Sequence, residues 1–218
     1  MPLIAKNINM EYPGAIVFKD LNLEIADQQM IAVKTEVLDG GTTLLKGLAG
    51  MLEDIVGEVH LDNMDLLHMN AAQRAMTVGY VHEEQGLVSL YDCYQNIALP
   101  LQFHTMISDE LVETRIFDLC EQFSVDRKLL SEYPHALNDV QTRMMNLLRA
   151  LVIRPKLLLI DELEGGMSEE ILEATIHSIR GKQEENSMIV IITTAHDFLL
   201  SEADRSYQIE NKSLLEYL

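Results

Sequence analysis

Short unbroken apolar runs alternate along this chain with stretches in which apolar residues return every three or four positions. The first pattern is that of strands buried on both faces, the second that of helices with one buried stripe. Strands are expected over residues 3–10, 16–25 and 30–35, with a Tyr-Pro-Gly turn between the first two. A helix is expected over 43–51, and further strands over 57–61 and 77–82. The middle changes character. Ser108, followed by Asp109 and Glu110, reads as a helix cap ahead of Val112, Ile116, Leu119, Cys120 and Phe123. A second helix over 139–153 carries Met144, Leu147, Leu148 and Leu151 on one stripe. After Pro155 the α/β rhythm returns: a buried strand over 156–161, a helix capped by Ser168 with Leu172, Ile176 and Ile179 inward, a strand over 188–194, and a closing hairpin of 206–209 with 214–217. The class is therefore α/β: one core of residues 1–84 and 150–218, interrupted by a helical insertion at 85–149.

Composition narrows the partners. Of 218 residues, 48% are hydrophobic, enough for a core, and 23% are charged. Sixteen basic residues face thirty-five acidic ones, a formal net of −19. Such a chain repels phosphate backbones and anionic lipid within a Debye length, so no nucleic-acid partner is expected. Cys93 and Cys120 have no metal-ligand or redox spacing and read as thiols of a reducing compartment. No apolar run is long enough to span a bilayer. The expectation is a cytoplasmic protein, peripheral on the inner face of a membrane only through a partner.

Several segments, taken in order, resemble the ATP-binding subunit of ABC transporters. Glu11-Tyr12-Pro13-Gly14 resembles the family's aromatic loop, and Gly41-TTLLKGLAG the helix behind its phosphate loop. Val78-Gly79-Tyr80-Val81 resembles the strand entering the Q-loop, and the run from Asn96 to Leu101 the entry to the helical domain. Leu148-Arg149-Ala150-Leu151 and then Arg154-Pro155-Lys156-LLLIDE are similar to the end of the signature helix and the Walker B strand. His196-Asp197 is similar to the switch histidine. The resemblance implies an ABC ATPase fold of the P-loop NTPase class, with a RecA-like core, an antiparallel β subdomain and an inserted helical subdomain. It implies Glu162 and His196 as catalytic positions, Tyr12, Gly40, Gly41, Thr42, Thr43 and Asp161 around a nucleotide, and Thr42 with Asp161 on magnesium.

The catalytic loops depart from the family pattern. A phosphate loop reads Gly-x-x-x-x-Gly-Lys-Ser/Thr, its glycines letting the backbone wrap the phosphates and its lysine neutralising them. Here residues 35–43 read Thr-Glu-Val-Leu-Asp-Gly-Gly-Thr-Thr. The first glycine is Thr35, the lysine is Gly41, and Glu36 and Asp39 bring carboxylates to a nest for polyphosphate. In place of Leu-Ser-Gly-Gly-Gln the chain has Leu137-Asn138-Asp139-Val140-Gln141. Glu83 stands at the Q-loop glutamine, Leu163 at the proline after Walker B, and Ser168 at the D-loop aspartate.

These departures set plainer readings beside the catalytic ones. Tyr12 is also a turn aromatic, Asp161 and Glu162 are also strand-end capping groups, and His196 is also an ordinary half-buried histidine. Asp39, Thr42 and Thr43 serve as a plain helix cap. The function expected is a degenerate, pseudo-ATPase subunit with no cofactor beyond weak MgATP. It forms a homodimer, or a heterodimer with another ATP-binding subunit, and docks on a membrane permease through residues 82–94. The segment 86–104 resembles the ATPases of Mce-associated lipid transport and of lipoprotein or cell-division exporters, which suggests lipid transport. Two alternatives stand: a diverged working ATPase using Thr42, Asp161, Glu162 and backbone amides, and a soluble adaptor outside transport.

Overall fold

A computed structural model describes residues 2–12, 15–36, 38–82 and 86–217, with the side chain of Tyr12 outside the description. An N-terminal antiparallel layer is formed by β1 (Leu3–Tyr12) and β2 (Ala15–Ile25). The chain then enters the central sheet at β3 (Met30–Lys34) and turns into helix α1 (Gly41–Leu48). It returns to the first layer through β4 (Ile55–Leu61) and the short β5 (Met64–Asp65), giving the order β2-β1-β4-β5.

Helix α2 (Ala71–Thr77) leads into β6 (Val78–Val81) of the central sheet. Next come α3 (Cys93–His104), α4 (Asp109–Gln122) and α5 (Asp139–Leu151). The core resumes with β7 (Leu157–Asp161), α6 (Glu169–Asn186), β8 (Ile189–Thr194), α7 (Asp197–Glu202), β9 (Arg205–Glu210) and β10 (Ser213–Tyr217). The central sheet runs β10-β9-β3-β8-β7-β6, parallel throughout except for β10.

The period of two along each central strand divides the core. Leu157, Leu159, Ile189, Ile191, Ile31 and Val33 pack with α1 and the antiparallel layer. Their neighbours Leu158, Ile160, Val190, Ile192 and Met30 pack on the opposite face with α3, α4, α5 and α6. Each residue of β7 and β8 is buried, which explains why these strands read as continuous apolar runs rather than alternating ones.

The helix starts follow side-chain capping. Ser108 accepts from Leu111 N at 3.4 Å and Ser168 from Ile171 N at 3.3 Å. Asn138 forms a reciprocal box with Gln141, as Asp92 does with Gln95.

Some expectations shift. Thr77 closes α2 rather than opening the strand, and the helix expected from residue 43 begins at Gly41 and ends at Leu48. Helix α2 was not foreseen because it buries no residue and so shows no apolar period. Helix α3 was masked by Pro100 in its interior. Both cysteines are buried free thiols, and burial pushes the Cys93 thiol up to about 11.

Candidate functional site

At the carboxyl ends of β3 and β7 lies a cavity of about 500 Å³ lined by Thr35, Asp39, Gly40, Gly41, Thr42, Thr43, Asp161 and Glu162, among others. The crevice beyond the carboxyl ends of parallel strands is where α/β folds place ligands. Five of the residues expected around a nucleotide, Gly40, Gly41, Thr42, Thr43 and Asp161, therefore converge with the expected catalytic Glu162. Among the described residues, His196 does not line this cavity. The turn residues Pro13 and Gly14, and Glu83 of the Q-loop position, lie outside the described residues.

The loop from β3 to α1 is closed by its own side chains. The Asp39 carboxylate accepts from Glu36 N at 2.6 Å through Oδ2 and from Gly41 N at 3.1 Å through Oδ1. The expected cap by Asp39, Thr42 or Thr43 needs correcting in its detail. The N-cap residue is Gly40, in the left-handed region at φ 104°, with no side-chain cap bond. Asp39 sits one position earlier and binds the first amide of the helix. Leu38 is held at φ 67° with 99% of its side chain exposed, a conformation that costs a non-glycine residue about 1–2 kcal/mol. Among the described lining residues four side chains are carboxylates (Glu36, Asp39, Asp161 and Glu162), and none is basic. The nearest cation along the chain, Lys34, is committed to the Tyr217 hydroxyl at 3.0 Å, and Lys46 lies a turn inside α1.

The β7 end keeps its carboxylates but engages them. Asp161 is buried; its Oδ1 accepts from Thr193 Oγ1 at 2.9 Å and its Oδ2 from the Tyr80 hydroxyl at 3.3 Å. Burial, and then the charge and hydrogen bond of Asp161, raise the Tyr80 pKa above its ordinary value. Glu162 adopts φ 47°, donates its amide to Thr193 O at 3.2 Å, and has its carbonyl bound by Arg143 Nη1 at 2.5 Å. Arg143 comes from α5, so the helix behind the signature segment is tied to the strand that carries the two acids. Glu164 Oε1 accepts from Thr194 Oγ1 at 2.5 Å and from Ala195 N at 3.2 Å. His196 is the N-cap residue of α7, and its Nδ1 is buried without a partner among the described residues. No local pattern marks Tyr80, Thr193 or Arg143 as neighbours of the β7 acids; sheet register brings the first two there and the packing of α5 the third.

A second cavity, about 400 Å³, opens beside α3 and is lined by Tyr80, His82, Leu99, Phe103 and Arg149 among others. Arg149 donates to Gly86 O. The buried Asn96 side chain pins the turn before α3: its Oδ1 accepts from Val88 N at 2.7 Å, and its Nδ2 donates to the carbonyls of Val88, Tyr91 and Asp92. That turn holds Leu90 outward, 83% exposed, near a helix whose Phe103 is 78% exposed.

A family model described as ABC transporter matches residues 18–164, which spans the loop after β3, the α3–α5 helices and the β7 acids. The chain belongs to the ABC transporter family. Its sequence is 28% identical over 216 residues to a Staphylococcus epidermidis protein provisionally named hemin import ATP-binding protein HrtA, covering 96% of each chain. It is 26% identical to the ergothioneine transport ATP-binding protein EgtV of Helicobacter pylori, covering 88% of each. In fold it is similar to the dimeric bacterial ABC transporter cassette MJ0796, with a TM-score of 0.89 at 19% identity, covering 99% of this chain and 97% of that one.

Proposed function

We propose that this chain is a nucleotide-binding subunit of an ABC transporter that no longer grips MgATP. It acts as a structural or regulatory partner, paired with a second copy or with another ATP-binding subunit, and sits on the cytoplasmic face of a membrane through a permease. No helix among the described residues is long and apolar enough to cross a membrane, so attachment falls to the partner.

The observation that carries the proposal is the seat of the Asp39 carboxylate on the amides of Glu36 and Gly41. Those amides are where a phosphate loop receives its anion. A negative group already occupies them, with three further carboxylates around the cavity and no basic side chain among the described lining residues to offset them. The residues present do not fit a magnesium-bound triphosphate. Each charge-assisted contact removed is worth about 1.5–3 kcal/mol, so loss of the lysine alone weakens binding by roughly one to two decades. The signature segment adds to this: α5 begins at Asp139 under the Asn138–Gln141 box, so its first turn carries a carboxylate and a branched side chain at Val140.

Docking on the permease is assigned to the cavity beside α3 and the turn that Asn96 holds. There Phe103 stands in solvent at the rim of a concave surface and Leu90 stands in solvent on the turn before α3. The expectation of lipid transport rested on the segment 86–104 and draws no support from relatives named for hemin and ergothioneine, so the proposal names a permease of the ABC class. A second reading, a diverged working ATPase, is favoured by one observation, the survival of Asp161 and Glu162 at the end of β7. Calorimetric titration of the wild-type chain with MgATP separates the two readings. The pseudo-ATPase expects no saturation in the micromolar range, whereas micromolar binding with turnover that Glu162→Gln abolishes establishes the enzyme.

A further inference from the structure

The missing lysine at position 41 is not an isolated loss. Thr35 is 4% exposed at the end of β3, and its Oγ1 is buried without a hydrogen-bond partner among the described residues. A Cβ placed on Gly41 would lie 2.5 Å from Thr35 Cγ2 and 3.2 Å from Thr193 Cγ2. The first distance is shorter than any carbon–carbon contact tolerates, and neither methyl has an easy retreat. Threonine is branched at Cβ, so rotation of Thr35 about χ1 exchanges methyl and hydroxyl in a space that is already closed. Thr193 is held by its hydroxyl, which donates to Asp161 Oδ1 at 2.9 Å, so turning its methyl away gives up that bond. Thr35 also leaves a buried hydroxyl unsatisfied, an arrangement that disfavours this residue unless its methyl does something there.

We propose that Thr35 and Asp39 together determine that this loop rejects phosphate. Thr35 fills the volume that a side chain at position 41 needs, so that 41 must remain glycine. Asp39 supplies from within the anion that the loop amides would otherwise take from a ligand. This deepens the reading of a subunit without a nucleotide grip and rests on it, but the steric half stands by itself. It turns a list of lost motif residues into an interlocked set: restoring the lysine alone meets Thr35, and removing Thr35 alone leaves the amides occupied.

The steric half is tested by a thermal-denaturation cycle with no nucleotide present. Gly41→Ala in the wild-type background is expected to lower Tm by about 5 °C, and in a Thr35→Gly background by less than half as much. Thr35→Ser, which deletes only the methyl, runs the same cycle in a milder form. Thr35→Val keeps a methyl over Gly41 and removes the orphan hydroxyl, so it is expected to hold or raise Tm. An equal cost of Gly41→Ala in all backgrounds overturns the interlock.

The anion half is tested by calorimetric titration with MgADP. Gly41→Lys alone is expected to gain nothing over the wild type. Thr35→Gly with Gly41→Lys is expected to gain little, and the triple variant that adds Asp39→Ser to gain roughly tenfold or more. A single Gly41→Lys change that binds as tightly as the triple variant overturns it. Tight MgATP binding by the wild type would refute the functional reading, while the denaturation cycle would still decide the interlock.

Discussion

The cavity at the ends of β3 and β7 and the cavity beside α3 are of similar size, about 500 and 400 Å³, and are linked by the hydrogen bond that Tyr80, lining the second, donates to Asp161, lining the first. They differ in what their polar groups are doing. In the first, the groups that could meet a ligand are turned on one another: Asp39 on two backbone amides, Asp161 on two hydroxyls, Thr35 over Gly41. In the second, the polar groups hold the framework, Asn96 fixing its turn and Arg149 reaching Gly86 O, while apolar side chains are left outward. A cavity whose hydrogen bonds close internally has its polar groups taken up by its own chain. A cavity whose hydrogen bonds only brace its rim is left to a partner. That contrast argues for a fold kept for docking after its chemistry has been given up.

The largest effect expected is at the second cavity. Leu90→Glu with Phe103→Glu places two charges where the surface is apolar and exposed, and should cut recovery of a co-expressed membrane partner by about tenfold or more. Asp161→Asn should leave that recovery unchanged. Equal loss from both sets of changes would erase the distinction between the two regions.

Next in size is the stability carried by the first cavity. Asp161→Ala strands the hydroxyls of Thr193 and Tyr80, a loss of about 1–3 kcal/mol, read as a lower urea midpoint with unchanged slope. A neutral outcome would mean that Asp161 is not a structural member of the sheet end.

The smallest effect is on pH dependence. Burial, followed by the positive charges of Lys46 and Arg149, holds the His82 pKa below its ordinary 6.5, against an opposing pull from Asp161. A histidine lowered in the folded state contributes stability that is whole above 6.5 and is lost as pH falls through its folded value, because the unfolded chain takes up the proton first. Stability of the wild type should therefore decline as pH drops below 6.5, and His82→Gln should flatten that limb. A wild type and variant with parallel profiles would count against this placement of the ring.

Most of the fold was legible because its strands and helices announce themselves locally: β7 and β8 as unbroken apolar runs, α4 and α6 by a serine cap and an apolar stripe. Helix α2 escaped because it buries nothing, and α7 because it has only 6 residues, too few to show a period. At the site, the sequence placed Gly40, Gly41, Thr42, Thr43, Asp161 and Glu162 together, since a motif fixes their spacing. It could not show that Asp39 turns inward onto Gly41 N rather than merely standing near a nest. Nor could it show that Thr35 and Gly41, six positions apart, exchange volume. Those facts depend on backbone direction and side-chain rotamer, which residue types at a given spacing do not specify. Tyr80, Thr193 and Arg143 meet the β7 acids only through sheet register and the packing of α5.

The most direct test of the central claim is a calorimetric titration of the purified wild-type chain with MgATP, at protein concentrations that resolve micromolar and weaker binding. With the loop amides held by Asp39 and no basic side chain among the described lining residues, saturation is expected only near or above about 1 mM, with no turnover. Saturation at micromolar MgATP, accompanied by hydrolysis that Glu162→Gln removes, would contradict the account.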